Sequence, residues 1–264
     1  MISFIIPNWN HKKLLFECIS SIYETTGAEI CEVIVVDNAS KDGSAGYISS
    51  NFSGVIWVQN DTNLGYAKAV NQGVRLSRGN LLFLLNNDVR LLGGATENLA
   101  SFLRGHPDAG AVAPALYYPD GRIQLSCRRF PTLSALVLES FGIDKIGRFR
   151  RWKLTGEEHL RSNTVQQPMA SALMVRKECW DAVGPLDERL PLYFNDVDWC
   201  YRLYSGTDCK IYLLPEAKVI HHWGASTRLL GYKRRIEFFK GLIMFYRKHF
   251  PFSSAGRIEG RPFA

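Results

Sequence analysis

The stretch that most constrains this chain is Leu81–Leu92, LLFLLNNDVRLL, in which five consecutive apolar residues run straight into Asn86, Asn87 and Asp88. A short apolar run without alternation suits a strand buried on both faces. Polar groups bunched where such a strand stops lie at the carboxyl edge of a sheet, where open α/β folds bind ligands. On an extended backbone Asn86 and Asp88 share one face and Asn87 points away. A carboxylate beside an amide suits a divalent cation that carries phosphates. A strand followed by an ordinary polar turn is the plainer alternative, and the rest of the chain decides between them.

The flanking segments repeat the strand theme. Residues 2–6, ISFII, read as a buried strand closed by Pro7, and NWNHKK leads into a helix with Leu14, Leu15, Cys18, Ile19 and Ile22 on one face, ended by Gly27. Val33–Val36 form a second strand with Asp37 at its end, residues 55–60 a third, and a helix runs between Gly65 and Gly79. Strand and helix alternate, which predicts a mostly parallel sheet with helices on both faces. A helix over 94–105 and a strand near 110–116 follow. Further strands are expected at 168–175, KIYLLP and KVIHHWGAS, with a helix starting near Asn195. Segment 117–165 is irregular and rich in bases (Arg122, Arg128, Arg129, Lys145, Arg148, Arg150, Arg151, Lys153), as a loop over a site would be.

The turn after the first strand is P-N-W-N-H-K, without G-x-G-x-x-G or G-x-x-x-x-G-K-[ST], which disfavours a dinucleotide Rossmann site or a P-loop. Lys plus Arg number 32 against 25 Asp plus Glu, a net charge of +7 that favours anionic partners. No base cluster is tied to a nucleic-acid module, so nucleic acid is not expected. Six cysteines (18, 31, 127, 179, 200, 209) show no C-x-x-C pair, which argues against a zinc knuckle and for free thiols in a reducing compartment. Met1 leads straight into a strand, and no apolar run reaches the length of a spanning helix. A cytoplasmic protein, or one peripheral on the inner face of the cell membrane, is expected. The final RIEGRPFA contains a protease-site tetrapeptide and reads as a vector remnant.

Seven segments in order resemble the family 2 glycosyltransferases of GT-A fold, and within them the rhamnosyltransferase-like group. They are SFIIPNWN, VIVVDNAS, NLGYAKAVNQG, LLFLLNND, ASALMVRKECWDAVGPLDE, YFNDVDWCYR and VIHHWGAS, spread over residues 2–227. The resemblance implies a catalytic domain over 1–227, with a nucleotide-sugar half (1–116) and an acceptor half (117–227). A helical tail would occupy 228–252, and 253–264 would be disordered or vector-derived. It implies a UDP- or dTDP-linked donor: Asp37 accepting a hydrogen bond from the base, Pro7 and Asn10 lining the base pocket, and Asn63, Gly65 and Asn71 near ribose and diphosphate. Unaided, Asp37 also reads as a helix cap or Asx turn.

Asn86-Asn87-Asp88 takes the place of the family's D-x-D, the first acid being Asn. The resemblance makes Asp88, with His221, a ligand of Mn²⁺ or Mg²⁺ on the diphosphate, with Asn86 and Asn87 beside the donor. Asn195-Asp196-Val197-Asp198 takes the place of E-D-x-D, which makes Asp196 the base that deprotonates an acceptor hydroxyl, with inversion at the anomeric carbon. By its position alone Asp196 is a first-turn acid that the helix dipole keeps ionised, and Asp198 pairs with Arg202 at i,i+4. His221 and His222 point to opposite strand faces, so one of them faces the metal. Tyr193 and Trp199, with Trp180, form either an acceptor-sugar platform or core packing.

The tail at 232–250 carries Ile236, Phe239, Ile243, Tyr246 and Phe250 on one face and Lys233, Arg234, Lys240, Arg247 and Lys248 elsewhere. That pattern fits membrane-surface contact, suited to a polyprenyl-linked glycan acceptor. A helix packed on the domain or in a dimer is the alternative. Rhamnose follows only from overall likeness, since no residue visibly reads its missing 6-hydroxyl. A non-catalytic scaffold of the same fold, motivated by Asn86 and Asn195, and a nucleotidyltransferase are the competing functions.

Overall fold

The computed structural model describes residues 1–26, 31–130, 154–190, 192–222 and 233–250. In chain order the first half contains β1 (Ile2–Asn8), α1 (Lys12–Thr25), β2 (Cys31–Asn38), α2 (Ser44–Asn51), β3 (Val55–Asn60), α3 (Tyr66–Leu76), β4 (Leu81–Leu85), β5 (Val89–Leu91), α4 (Ala95–Gly105) and β6 (Ala109–Tyr117). The second half adds β7 (Cys127–Arg128), a 3₁₀ turn (Glu158–Leu160), β8 (Asn163–Val165), β9 (Gln167–Pro168), β10 (Ala172–Arg176), α5 (Lys177–Val183), α6 (Asn195–Gly206), β11 (Lys210–His221) and α7 (Lys233–His249).

The main sheet runs β3-β2-β1-β4-β10-β6-β11-β5, with β8 also paired to β11. Side-chain alternation explains why the apolar runs carry no polar face. Ile2, Phe4, Ile6, Leu81, Phe83 and Leu85 pack against α1, α2 and α4, whereas Ile5, Leu82 and Leu84 pack against α3, α5, α6 and α7. Both faces are therefore covered, as continuous hydrophobic strands require. Gly73 lets α3 lie close on the sheet, since a Cβ there would fall 2.6 Å from Ile5 Cγ2.

Strands β1 to β4 pair in parallel as expected, but β10 is antiparallel to both β4 and β6, and β5 and β8 are antiparallel to β11. Pro7 lies inside β1 rather than closing it. There β4 has already parted company, its last partner on β1 being Ile5, so the missing N–H leaves no bond unmade on that side. KIYLLP and KVIHH form one strand, β11, instead of two; the register shift between Leu214 and Lys218 accommodates Pro215 as a bulge. Helix α3 stops before Ser77, and Gly79 lies beyond it, where a Cβ would meet Ser3 at 2.5 Å. The expected helix end at Gly27, the bases from Lys145 to Lys153, and residues 223–232 and 251–264 lie outside the described residues.

Candidate active site

Three side-chain groups gather at the carboxyl edge of the sheet. The first surrounds Asp37, buried at the end of β2. Its Oδ1 accepts from Asn8 Nδ2 (2.6 Å) and Ser40 Oγ (2.5 Å), and its Oδ2 from Ser40 N (2.8 Å) and Gln59 Nε2 (2.9 Å). Asn87 joins from β4, donating to Asn8 Oδ1 at 2.7 Å and to the Asn10 carbonyl. Asn10, His11 and Ala39 all hold positive φ here, a cluster of backbone strain at the expected base pocket. Asn63 accepts from the Gly65 N–H, and Gly65, at φ 83°, turns the chain into α3.

The second group is Asp88 with His221. The β5–β11 pairing sets Val89 against His221, and the His222 N–H donates to the Asp88 carbonyl (2.9 Å). His221 Nε2 thereby comes 3.4 Å from Asp88 Oδ1. Gln124 fixes the imidazole from behind: its Nε2 donates to the His221 carbonyl (2.7 Å), which turns its Oε1 toward His221 Nδ1 (2.9 Å). A proton on Nδ1 leaves the Nε2 lone pair facing Asp88. Asn86 turns the other way, to Ser171, so the expectation that Asn86 and Asp88 share one face is corrected: β4 ends at Leu85 and the chain turns through Asn87 and Asp88 instead of staying extended.

Asp88 Oδ1 is buried and accepts no hydrogen bond, an arrangement that a cation relieves. Among the described residues no cluster of three or more His, Cys, Asp or Glu side chains could hold a metal. Asp88 and His221 thus fit a cation whose remaining ligands are phosphate oxygens, the usual habit of Mg²⁺ at nucleotides.

The third group is centred on Asp196 in the first turn of α6. Its Oδ1 accepts from the Val197 N–H at 2.9 Å. Burial pushes the Asp196 carboxyl above the ordinary value, against the Val197 and Ala170 amides and the Arg128 charge that favour the anion. The helix start favours the anion, as expected, but desolvation is the larger influence and the net shift is upward. Tyr66 connects this group to the second. Its hydroxyl donates to the Ala170 carbonyl (2.9 Å), and burial followed by the Asp196 and Asp88 charges holds its phenol far above the usual range.

Other expected residues stand apart. Asn71 is buried and bridges α3 to the 184–190 turn, donating to the Leu186 carbonyl and Glu188 and accepting from Leu186 N. Its amide is committed to packing rather than to a diphosphate. Trp199 is 1% exposed, stacks on Trp180 at 5.5 Å and donates Nε1–H to the Gly184 carbonyl, so it is core and no acceptor platform. Tyr193 is half-buried and meets Phe238 of α7 edge-on. Asp198 pairs with Arg202 at 2.9 Å, as its spacing implied.

The model of the family described as "Glycosyl transferase family 2" matches residues 3–161, more than half of the chain. The chain belongs to glycosyl transferase family 2. Among curated relatives of this family 2 chain, an uncharacterized protein, y4gI, of Sinorhizobium fredii is 30% identical over 86% of the chain, which spans only 25% of that relative. The N-acetylglucosaminyl-diphospho-decaprenol L-rhamnosyltransferase of Mycobacterium tuberculosis is 29% identical over 74% of the chain and 67% of its own length. Solved structures match the fold. GalNAc-T7 with UDP, GalNAc and Mn²⁺ aligns at TM-score 0.67 and 15% identity, over 94% of this chain and 47% of that one. The Pyrobaculum calidifontis mannosyltransferase with GDP-Man and Mn²⁺ aligns at 0.63 and 17%, over 94% and 63%. The fold is GT-A.

Sequence reasoning passed over four residues of this family 2 site. Asn8 and Ser40 lie inside quoted motifs, SFIIPNWN and VIVVDNAS, and their polarity at strand ends was the available signal. Tyr66 follows the Gly65 of NLGYAKAVNQG, where an aromatic reads as helix core. Gln124 sits in the irregular segment, where no periodicity points inward.

Proposed function

We propose that this chain is an inverting glycosyltransferase, moving a sugar from a nucleoside-diphosphate donor to a hydroxyl of a glycan acceptor. The observation that carries the reading is the shared edge: Asp196, whose anion burial disfavours, and Asp88, 3.4 Å from His221, both lie near the partly buried Tyr66, whose hydroxyl donates to the Ala170 carbonyl. Displacement at an anomeric carbon needs one carboxylate to take a proton from the incoming hydroxyl. It also needs positive charge on the departing diphosphate.

Asp196 accepts the acceptor's proton as the hydroxyl oxygen bonds to the anomeric carbon. The bond from that carbon to the diphosphate breaks, and the diphosphate leaves with the electron pair. Attack opposite the leaving group inverts the anomeric centre. A divalent cation, Mn²⁺ or Mg²⁺, held by Asp88 and His221, would neutralise charge on the diphosphate. The Asp37 group would receive the base of a UDP- or dTDP-linked donor. The M. tuberculosis relative's name supports a polyprenyl-diphosphate-linked acceptor and rhamnose as the first sugar to try.

The scaffold alternative loses part of its motive, because Asn195 is buried and donates to the Leu190 carbonyl, a packing role that needs no acid. The test is turnover. Asp196→Asn is expected to lose activity by about 10²–10⁴-fold, the range for general-base removal, with donor binding by calorimetry within about twofold of wild type. Near-wild-type turnover removes Asp196 as base. Donor binding by the wild type without transfer to any acceptor would favour the scaffold.

A further inference from the structure

Helix α7 has two separate apolar faces. One is docked: Phe245 is buried, Phe238 packs on Phe194, and Gly241 lies against the turn before Asp196, where a Cβ would sit 3.0 Å from the Tyr193 carbonyl. Lys248 and His249 fasten the docked side through Asp198, each at 2.7 Å. The other face points outward with Ile236, Phe239 and Ile243 exposed at 46%, 59% and 52%, and Phe250, just past the helix end and 41% exposed, borders it while packing on Tyr201 and Phe245. At 3.6 residues per turn the first three fall within about 60° of one another around the axis. The packed-helix alternative is realised on one side, and the other side leaves an apolar face exposed.

Charge surrounds the outward face on the side of Lys240 and Arg247. Lys240 pairs along the helix with Glu237 at 2.9 Å. Next to it lies a groove of about 300 Å³ lined by Asp187, Arg189, Leu190, Met244, Arg247 and Lys248, three cations to one acid. We infer that α7 docks the protein on an anionic lipid surface, with Ile236, Phe239 and Ile243 entering the acyl boundary and Lys240 and Arg247 meeting lipid phosphates. Large apolar side chains beside cations on one helix are the composition of an interfacial helix, and a chain of net charge +7 suits an anionic leaflet. A second copy of the chain fits less well. Even with Phe250 included, four half-exposed side chains offer roughly 400 Å², about half of what one side of a stable dimer buries. Because the inner side of α7 touches Tyr193 and Phe194, a lipid surface on its outer side stands about one helix diameter, ~10 Å, from the turn that carries Asp196.

The inference is independent of the transfer chemistry, because vesicle binding needs no donor. Flotation of the full chain with phosphatidylcholine vesicles, with and without phosphatidylglycerol, tests it. The wild type is expected to bind the anionic vesicles on the order of tenfold more tightly than the neutral ones. F239E combined with I243E is expected to lose that binding by about tenfold or more, with thermal melting and donor binding unchanged. Should that pair melt early, F239S with I243S and a salt titration of the wild type carry the same comparison. Wild-type protein that stays off anionic vesicles overturns the proposal. So does binding that survives loss of the apolar pair, or a wild-type dimer in sedimentation that the same variant dissociates.

Discussion

Asp88 Oδ1 lies 3.4 Å from His221 Nε2, on the opposite side of the imidazole from the Gln124 amide that holds Nδ1. Gln124 would therefore set which nitrogen faces the proposed cation. Gln124→Leu keeps the volume and removes the acceptor. Loss of such an outer hydrogen bond weakens metal affinity by about 10–100-fold. Mn²⁺-dependent stabilisation by a nucleoside diphosphate, read as the shift in melting temperature, is expected to need correspondingly more Mn²⁺. Asp88→Asn is expected to abolish the Mn²⁺-dependent part of that stabilisation altogether. A Gln124→Leu protein with a wild-type Mn²⁺ titration would detach Gln124 from the site.

That relationship also marks the limit of what the sequence discloses. β4 is legible because burial of an apolar run is a local property of Leu81–Leu85, whereas the turn that sends Asn86 to Ser171 and away from Asp88 is not, since alternation assumes that the strand continues. The proximity of Gln124 to His221 is not legible either, because it depends on a turn at Tyr118–Arg122 that folds Gln124 back onto the end of β6, beside β11, inside a segment without periodicity. The merging of KIYLLP with KVIHH is hidden for a similar reason: Pro215 reads locally as a strand end, and only a neighbour able to shift register allows a bulge. Trp199 and Asn71 were placed by motif position, and the motif does not report that an indole and an amide are spent on the Gly184 and Leu186 carbonyls. Asp37, Asp88, His221 and Asp196 all fall at the carboxyl edge, since strand ends and helix starts are what sequence patterns locate best.

As the proposed base, Asp196 is expected to set the pH profile through its displaced carboxyl. A base works when deprotonated, so activity rises with pH through its pKa. Burial raises that pKa above the ordinary aspartate value of about 3.9. The acid limb of kcat/KM is accordingly expected above pH ~4. The Arg128 charge opposes the shift, so Arg128→Gln is expected to move the limb further up. A limb unmoved by Arg128→Gln, with solvent and buffer held fixed, would show that another group governs it.

Asp37 already accepts four hydrogen bonds, which fills a carboxylate's lone pairs. A nucleobase N–H must displace one donor. Gln59 is the one that yields, because it is exposed on the edge strand β3, whereas Asn8 is buried and Ser40 lies within the turn. Gln59→Ala is therefore expected to leave nucleoside-diphosphate affinity unchanged or tighter. Asp37→Ala strands Asn8 and Ser40, at about 1–3 kcal/mol for each buried group left unpaired, and removes base recognition as well. Calorimetric titration of both variants separates the cases. Equal weakening by both would mean that Gln59 itself binds the ligand.

Asp198 joins α6 to α7 and makes the attachment sensitive to acid. Its side chain is fully buried, and burial alone would raise its pKa. His249, Lys248 and Arg202 together outweigh that and hold it below 3.8. A carboxyl whose folded pKa is depressed contributes stability that is fully present above its unfolded value and lost as pH falls through the folded one. Melting temperature is therefore expected to hold through neutral pH and to decline from about pH 5 downward, with α7 among the first elements to loosen. Asp198→Asn is expected to flatten that acid decline. At pH 7 it is expected to cost about 3 kcal/mol, the lower end for breaking a buried ion pair. Hydrogen exchange in α7 at pH 7 and pH 4 checks the assignment: protection lost equally in wild type and Asp198→Asn at the lower pH would place the acid-labile contact elsewhere.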